Sequence, residues 1–252
     1  MIYSRQLLNF TKLVLRERYR DPTLQLVIPT LLVGNIFIPV FLADDQFKVY
    51  ALALSMIPVL NTAETLTFAL VLRNVIFVFG DHIYTNSVVS FLMLPVSRRS
   101  YFLTSLLSDV GIPYVLWLLT TLLYLWGSGT LNVISELAIL SFTVGLLFSS
   151  SILFLLVMSL RNPGTVTISS LLLLGGIFGF GGLGVYYLAI SVHNLWITGL
   201  AGIMNPFILD LGYGATFKLE FIYELVIALI AESLLSILIL SFAYRMFREM
   251  ET

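Results

Sequence analysis

Residues 133–160 read VISELAILSFTVGLLFSSSILFLLVMSL, a stretch with one ionisable side chain, Glu136. A helix rises 1.5 Å per residue, so about 20 apolar residues carry it across a hydrocarbon core about 30 Å thick. A membrane β-strand would alternate apolar and polar residues over roughly ten positions, and this stretch does not alternate. Inside lipid every backbone N–H and C=O needs a partner, and a helix supplies all of them within one segment. The stretch therefore predicts a transmembrane helix.

Five further apolar runs flank it, at 23–43, 49–79, 102–126, 165–192 and 219–244. Together they predict an all-α, polytopic membrane protein with six transmembrane helices in a single domain spanning 1–252. The whole chain agrees: of 252 residues, 59% are hydrophobic and 11% charged, and mean hydropathy is +1.00. Soluble domains carry about 25% charged residues. The run 49–79 is the longest and contains Pro58, which predicts a kink.

Charge distribution predicts the orientation. Arg5, Lys12, Arg16, Arg18, Arg20, Arg98, Arg99, Arg161, Arg245 and Arg248 fall on one side of the predicted spans, against Lys48 and Lys218 on the other. Such a bias puts the basic side in the cytoplasm, so both termini are expected there, in a multi-pass cell-membrane protein. No signal-peptide pattern is read in residues 1–22, because charge is spread to Arg20 and no cleavage site follows an apolar stretch. Ser4–Arg20 is instead amphipathic. At 100° per residue Arg5, Asn9, Lys12, Arg16 and Arg20 share one arc, opposite Leu7, Leu8, Phe10, Val14 and Leu15. A helix lying flat at the interface over 1–22 is expected, either as a lipid anchor or as a lever touching a cytosolic partner. Arg18 falls on its apolar side and needs a partner or must snorkel.

Little in the chain looks catalytic. There is no cysteine, hence no disulfide and no thiolate metal site. A formal charge of −1 argues against a nucleic-acid partner. No G-x-x-x-x-G-K-[ST] loop is present to hold ATP phosphates. Gly179-Phe180-Gly181-Gly182-Leu183-Gly184 spells G-x-G-x-x-G, but inside an apolar run with no βα unit to present it. Gly175, Gly179 and Gly182 fit close helix packing better, with a flexible gate as the other reading. His82 and His193 lie on opposite sides, and neither has neighbours to complete a zinc site. The chain is expected to be no enzyme and to hold no metal or cofactor of its own.

Ionisable residues inside the spans cost about 2.5–3.5 kcal/mol each at mid-bilayer. They are Glu64, Arg73, Asp109 and Glu232. Glu64 and Glu232 are read either as substrate-path or proton-relay groups or as hydrogen-bonded carboxyls facing neighbouring helices. Arg73 and Asp109 lie at equal depth on spans joined by one loop, which predicts an ion pair; snorkelling of Arg73 is the other reading.

The segment between the second and third spans carries Leu92-Met93-Leu94-Pro95-Val96-Ser97-Arg98-Arg99-Ser100-Tyr101, after Asp81-His82-Ile83-Tyr84-Thr85-Asn86-Ser87. This resembles the inner loop of ABC-2-type permeases, the membrane subunits of ATP-binding-cassette exporters. The resemblance extends in plan to the basic helix ending in Arg20-Asp21-Pro22, the six spans, and Asn205-Pro206 before the last. His82, Asn86 and Ser105 stand where the family often has Glu, Gly and Lys. The resemblance implies a cytoplasmic coupling loop over 80–101 seated on a separate ATPase subunit, which binds the ATP and magnesium. Leu92, Pro95, Arg98 and Arg99 would then be the docking residues, with a second permease copy or paralogue and membrane lipid completing the assembly. The alternative class is an ion-coupled secondary carrier using Glu64 and Glu232.

Overall fold

The computed structural model describes residues 2–19, 29–30, 62–93, 96–128, 133–192, 196–197, 200 and 222–250. The expected first span at 23–43 apart from 29–30, and Pro58, Pro95, His193 and Asn205-Pro206, lie outside them. Of the described residues 94% are helical, and none is in a strand. Among the described residues five helices are long and apolar enough to cross a membrane: Ala63–Tyr84, Arg98–Gly127, Ile139–Leu160, Pro163–Gly181 and Val226–Glu249.

In chain order, α1 is Ile2–Tyr19. The second expected span contains α2 (Thr62–Arg73), a π-helical segment π1 (Asn74–Phe79) and α3 (Gly80–Tyr84). The short α4 (Val88–Leu92) follows. The third span is α5 (Arg98–Leu106), π2 (Leu107–Gly111) and α6 (Ile112–Ser128), so Arg98 and Arg99 form its first turn and are not part of a loop. Then come α7 (Val133–Leu160) and, for the fifth span, α8 (Pro163–Ser170), π3 (Leu171–Gly181) and α9 (Gly182–Val192). The last is α10 (Ile222–Glu249).

Local chemistry explains where these helices begin and end. Asn162 caps α8 by accepting from Thr165 N at 3.2 Å, and Pro163 takes the first helical position, where its missing N–H costs nothing. Arg161 reverses the chain before it with φ at 49°. Asn86 (φ 56°) does the same after α3, where an Asn side chain tolerates the left-handed region. Ser97 caps α5 by accepting from Ser100 N at 3.1 Å. The hydroxyls of α7 do not break it because they bond back into it: Thr143 to the carbonyl of Ile139, Ser150 to Leu146 and Ser151 to Phe148.

The core is aromatic and sits at the arginine-rich end of the bundle. Phe79 meets Phe154 at 4.9 Å, Phe102 meets Phe154 at 5.4 Å, and Tyr101 stacks on Phe247 at 5.6 Å with 11° between planes. Five rings from four helices thus interlock there, two of them from α5. The seam between α7 and α10 is the most extensive among the described elements. Ser159 touches Met246 near its arginine-rich end, and both helices run towards that end.

The three π segments were not expected from composition. An i→i+5 ladder accommodates an extra residue, and such segments are rare and concentrated at functional sites. π1 and π2 pack against each other. In π3 the slower winding no longer keeps a 4-then-3 glycine spacing on one line: Gly182 is buried while Gly175 and Gly179 are half-buried.

Candidate functional site

At the arginine-rich end, α1 packs along the start of the third span. Phe10, Val14 and Arg18, spaced four apart, form its buried stripe. Phe10 lies 5.8 Å from Tyr101, and Arg18 reaches Asp109. Both contacts join residues 91 apart in sequence, eight positions along each helix, so α1 runs beside the third span in the same direction for about two turns. The apolar side expected to face lipid is, at Phe10 and Val14, a protein-facing side. Lys12 and Arg16 stay exposed, as do Leu8 and Leu13.

Arg18 forks onto Asp109, Nε to Oδ1 at 2.5 Å and Nη2 to Oδ2 at 3.3 Å, with both side chains 0% exposed. Ser108 Oγ adds a donor to Asp109 Oδ1 at 3.0 Å. The next residue of α1, Tyr19, donates to the carbonyl of Ser108 at 2.5 Å. Burial, and then the Asp109 carboxylate, hold the Tyr19 phenol above its ordinary ionisation range, so it remains a donor. The guanidinium placed on Asp109 is therefore that of Arg18, which corrects the expected pairing with Arg73. Arg73 donates to Asn74 Oδ1 at 3.1 Å. Counting depth assumed that spans joined by a loop are each other's partners, whereas the partner came from α1.

The segment after the second span is tied down on several sides. His82 Nδ1 is 2.8 Å from the Tyr101 hydroxyl, and its ring lies 4.7 Å from Phe91 of α4. Phe91 also meets Phe10 of α1 at 6.5 Å. Leu92 is half-buried against the core, whereas Met93 is 81% exposed. Of the two arginines, Arg99 is exposed, while Arg98 Nη1 donates to the carbonyls of Arg248 and Met250, both at 2.7 Å.

The remaining singled-out residues lie elsewhere. Glu232 is 0% exposed, and neither carboxyl oxygen has a hydrogen-bond partner among the described residues. It belongs to the α10 stripe Ala228, Leu229, Glu232, Ser236, Ala243 and Phe247. Glu64 is 8% exposed at the start of α2. A Cβ on Gly175 would touch only Leu171 Cδ1, at 3.9 Å, whereas one on Gly179 would press the Leu174 carbonyl at 3.2 Å. Only 11% of Pro163–Gly181 is buried, so Gly175 and Gly179 meet no closely packed helix among the described residues. No group of three or more metal-binding side chains occurs among the described residues.

Sequence reasoning did not anticipate the contact of Arg98 with the end of α10 and gave Phe10, Tyr101 and Phe91 no part at this end. One signal was available for two of them: Phe91 and Tyr101 fall in the same short segment as the two arginines. No family model matches the chain, and neither a curated protein nor a solved structure is detectably similar to it.

Proposed function

We propose that this chain is a six-span permease subunit of an ATP-binding-cassette exporter, with both termini cytoplasmic, driven by a separate ATPase subunit that binds ATP and magnesium. The observation that carries the reading is the convergence at the arginine-rich end. There α1, the short α4, the first turn of the third span and the last turn of α10 are fastened by aromatic packing and charge-assisted hydrogen bonds. A segment that receives force from a partner must be stiff, because a floppy loop would absorb the movement. Met93 and Arg99 project from this platform and are its docking contacts, with Leu92 as packing beneath them. Two such permeases, identical or paralogous, would meet along the little-buried fifth span and enclose the substrate path.

The test is co-purification of the full chain from its native host. An ATP-binding-cassette subunit retained by the wild type and lost on Arg99→Glu combined with Met93→Asp supports the reading. Retention unaffected by those changes removes the docking assignment, and transport by the purified chain alone removes the reading. One observation favours a second reading, an ion-coupled carrier: the Glu232 carboxyl is buried without a hydrogen-bond partner among the described residues. Such a carrier would transport in vesicles under an ion gradient without ATP and would fail as Glu232→Gln.

A further inference from the structure

Arg98 occupies an electrostatically awkward position, the first residue of a helix, where the helix dipole favours anions. Its guanidinium turns away from its own helix and ends on the last carbonyls of another. Arg248 O and Met250 O are unsatisfied acceptors at a helix C-terminus, where a cation and a donor are both favoured. One nitrogen, Nη1, meets both at 2.7 Å across 150 residues of sequence. One turn further along, Tyr101 stacks on Phe247, and Phe102 meets Phe247 at 5.6 Å and Tyr244 at 5.3 Å. Tyr101 is also the residue bonded to His82 and packed on Phe10 and Phe91. The start of the third span thus joins the segment 82–101 to α10, and Arg98 is its polar link.

We infer that α10 is an output element of the segment 82–101, and that Arg98 is the positioning residue that makes the two move as one body. The pinning itself is independent of the proposed function; the transmission of ATP-driven movement rests on that reading. Because α10 is packed along α7, a displacement at residue 98 would be carried through Phe247 into the most extensive seam among the described elements. Arg98 in this role is a transmitter and Arg99 the contact.

The experiment uses the full chain in lipid nanodiscs, with Arg98→Gln, Arg98→Lys and Arg99→Gln. Amide exchange over 244–250 should be roughly tenfold faster in Arg98→Gln, the scale of one lost charge-assisted cap, intermediate in Arg98→Lys and unchanged in Arg99→Gln. The natural absence of cysteine allows spin labels at Thr85→Cys and Arg248→Cys. In the complex with its co-purified ATP-binding subunit, the distance distribution between them should stay narrow on adding ATP and broaden with Arg98→Gln. Unchanged exchange in both Arg98 variants overturns the pinning, and a distance distribution indifferent to Arg98→Gln overturns the transmission. If no ATP-binding subunit co-purifies, the proposed function fails while the exchange measurement still decides the pinning. Should Arg98→Gln fail to insert, the graded effect of Arg98→Lys decides it.

Discussion

Replacing Arg18 by alanine would strand the Asp109 carboxylate in a place with no access to water. Breaking a buried ion pair from one side costs about 3–5 kcal/mol, whereas replacing both partners by apolar groups of similar volume is often neutral. Arg18→Ala is therefore expected to destabilise the chain by that amount in a denaturation titration, and Arg18→Met with Asp109→Leu to recover most of it. Arg73→Ala should cost much less than Arg18→Ala. The ionisable residues of the spans were legible in the sequence, as was the need of Arg18 for a partner. The pairing was not, because it depends on which helix lies against the third span, and α1 arrives there from outside the apolar runs. Arg98 was unreadable for the same reason: nothing local at 98 announces acceptors at 248 and 250.

At the scale of the element, the helix end at 161–164 is one whose chemistry stands in the sequence. Arg161-Asn162-Pro163-Gly164 spells a reversal, a cap and a first-turn proline in order, and the structure uses Asn162 and Pro163 in those roles. Asn162→Ala should cost about 1 kcal/mol, read as a lower unfolding midpoint. The π segments could not be read, since a single slipped hydrogen-bond register leaves composition and hydropathy unchanged. They also alter how the glycines of the fifth span should be tested. Gly179→Leu presses its own helix's carbonyl, so a loss there would not report on association. Gly175→Leu has room within the protomer, and is expected to lower the dimer fraction in cross-linking while leaving monomer stability unchanged.

For the molecule as a whole, hydropathy and charge counting specify a bundle and an orientation, and leave the neighbours of each helix open. The orientation is directly measurable. Cysteines introduced at exposed Thr85 and Asn162 should react with a membrane-impermeant maleimide only from the cytoplasmic side. Labelling of either from outside would invert the topology and remove the platform from reach of any cytosolic ATPase.

The link between Arg98 and the end of α10 also has a history in time. Its acceptors lie 150 and 152 residues beyond its donor. At about 5–20 residues per second of synthesis, Arg98 waits on the order of 8–30 s on the ribosome before they exist. During that interval Tyr101 and Phe102 are already made, but their ring partner Phe247 is not, and α7 is threaded without the helix that packs along it. The finished arrangement can close only after α10 has left the insertion machinery, so the half-built chain is the form most exposed to quality-control proteases. Variants weak at Arg98 should then show their deficit first as lowered yield from the living cell, ahead of any loss measured on protein that has survived to be purified.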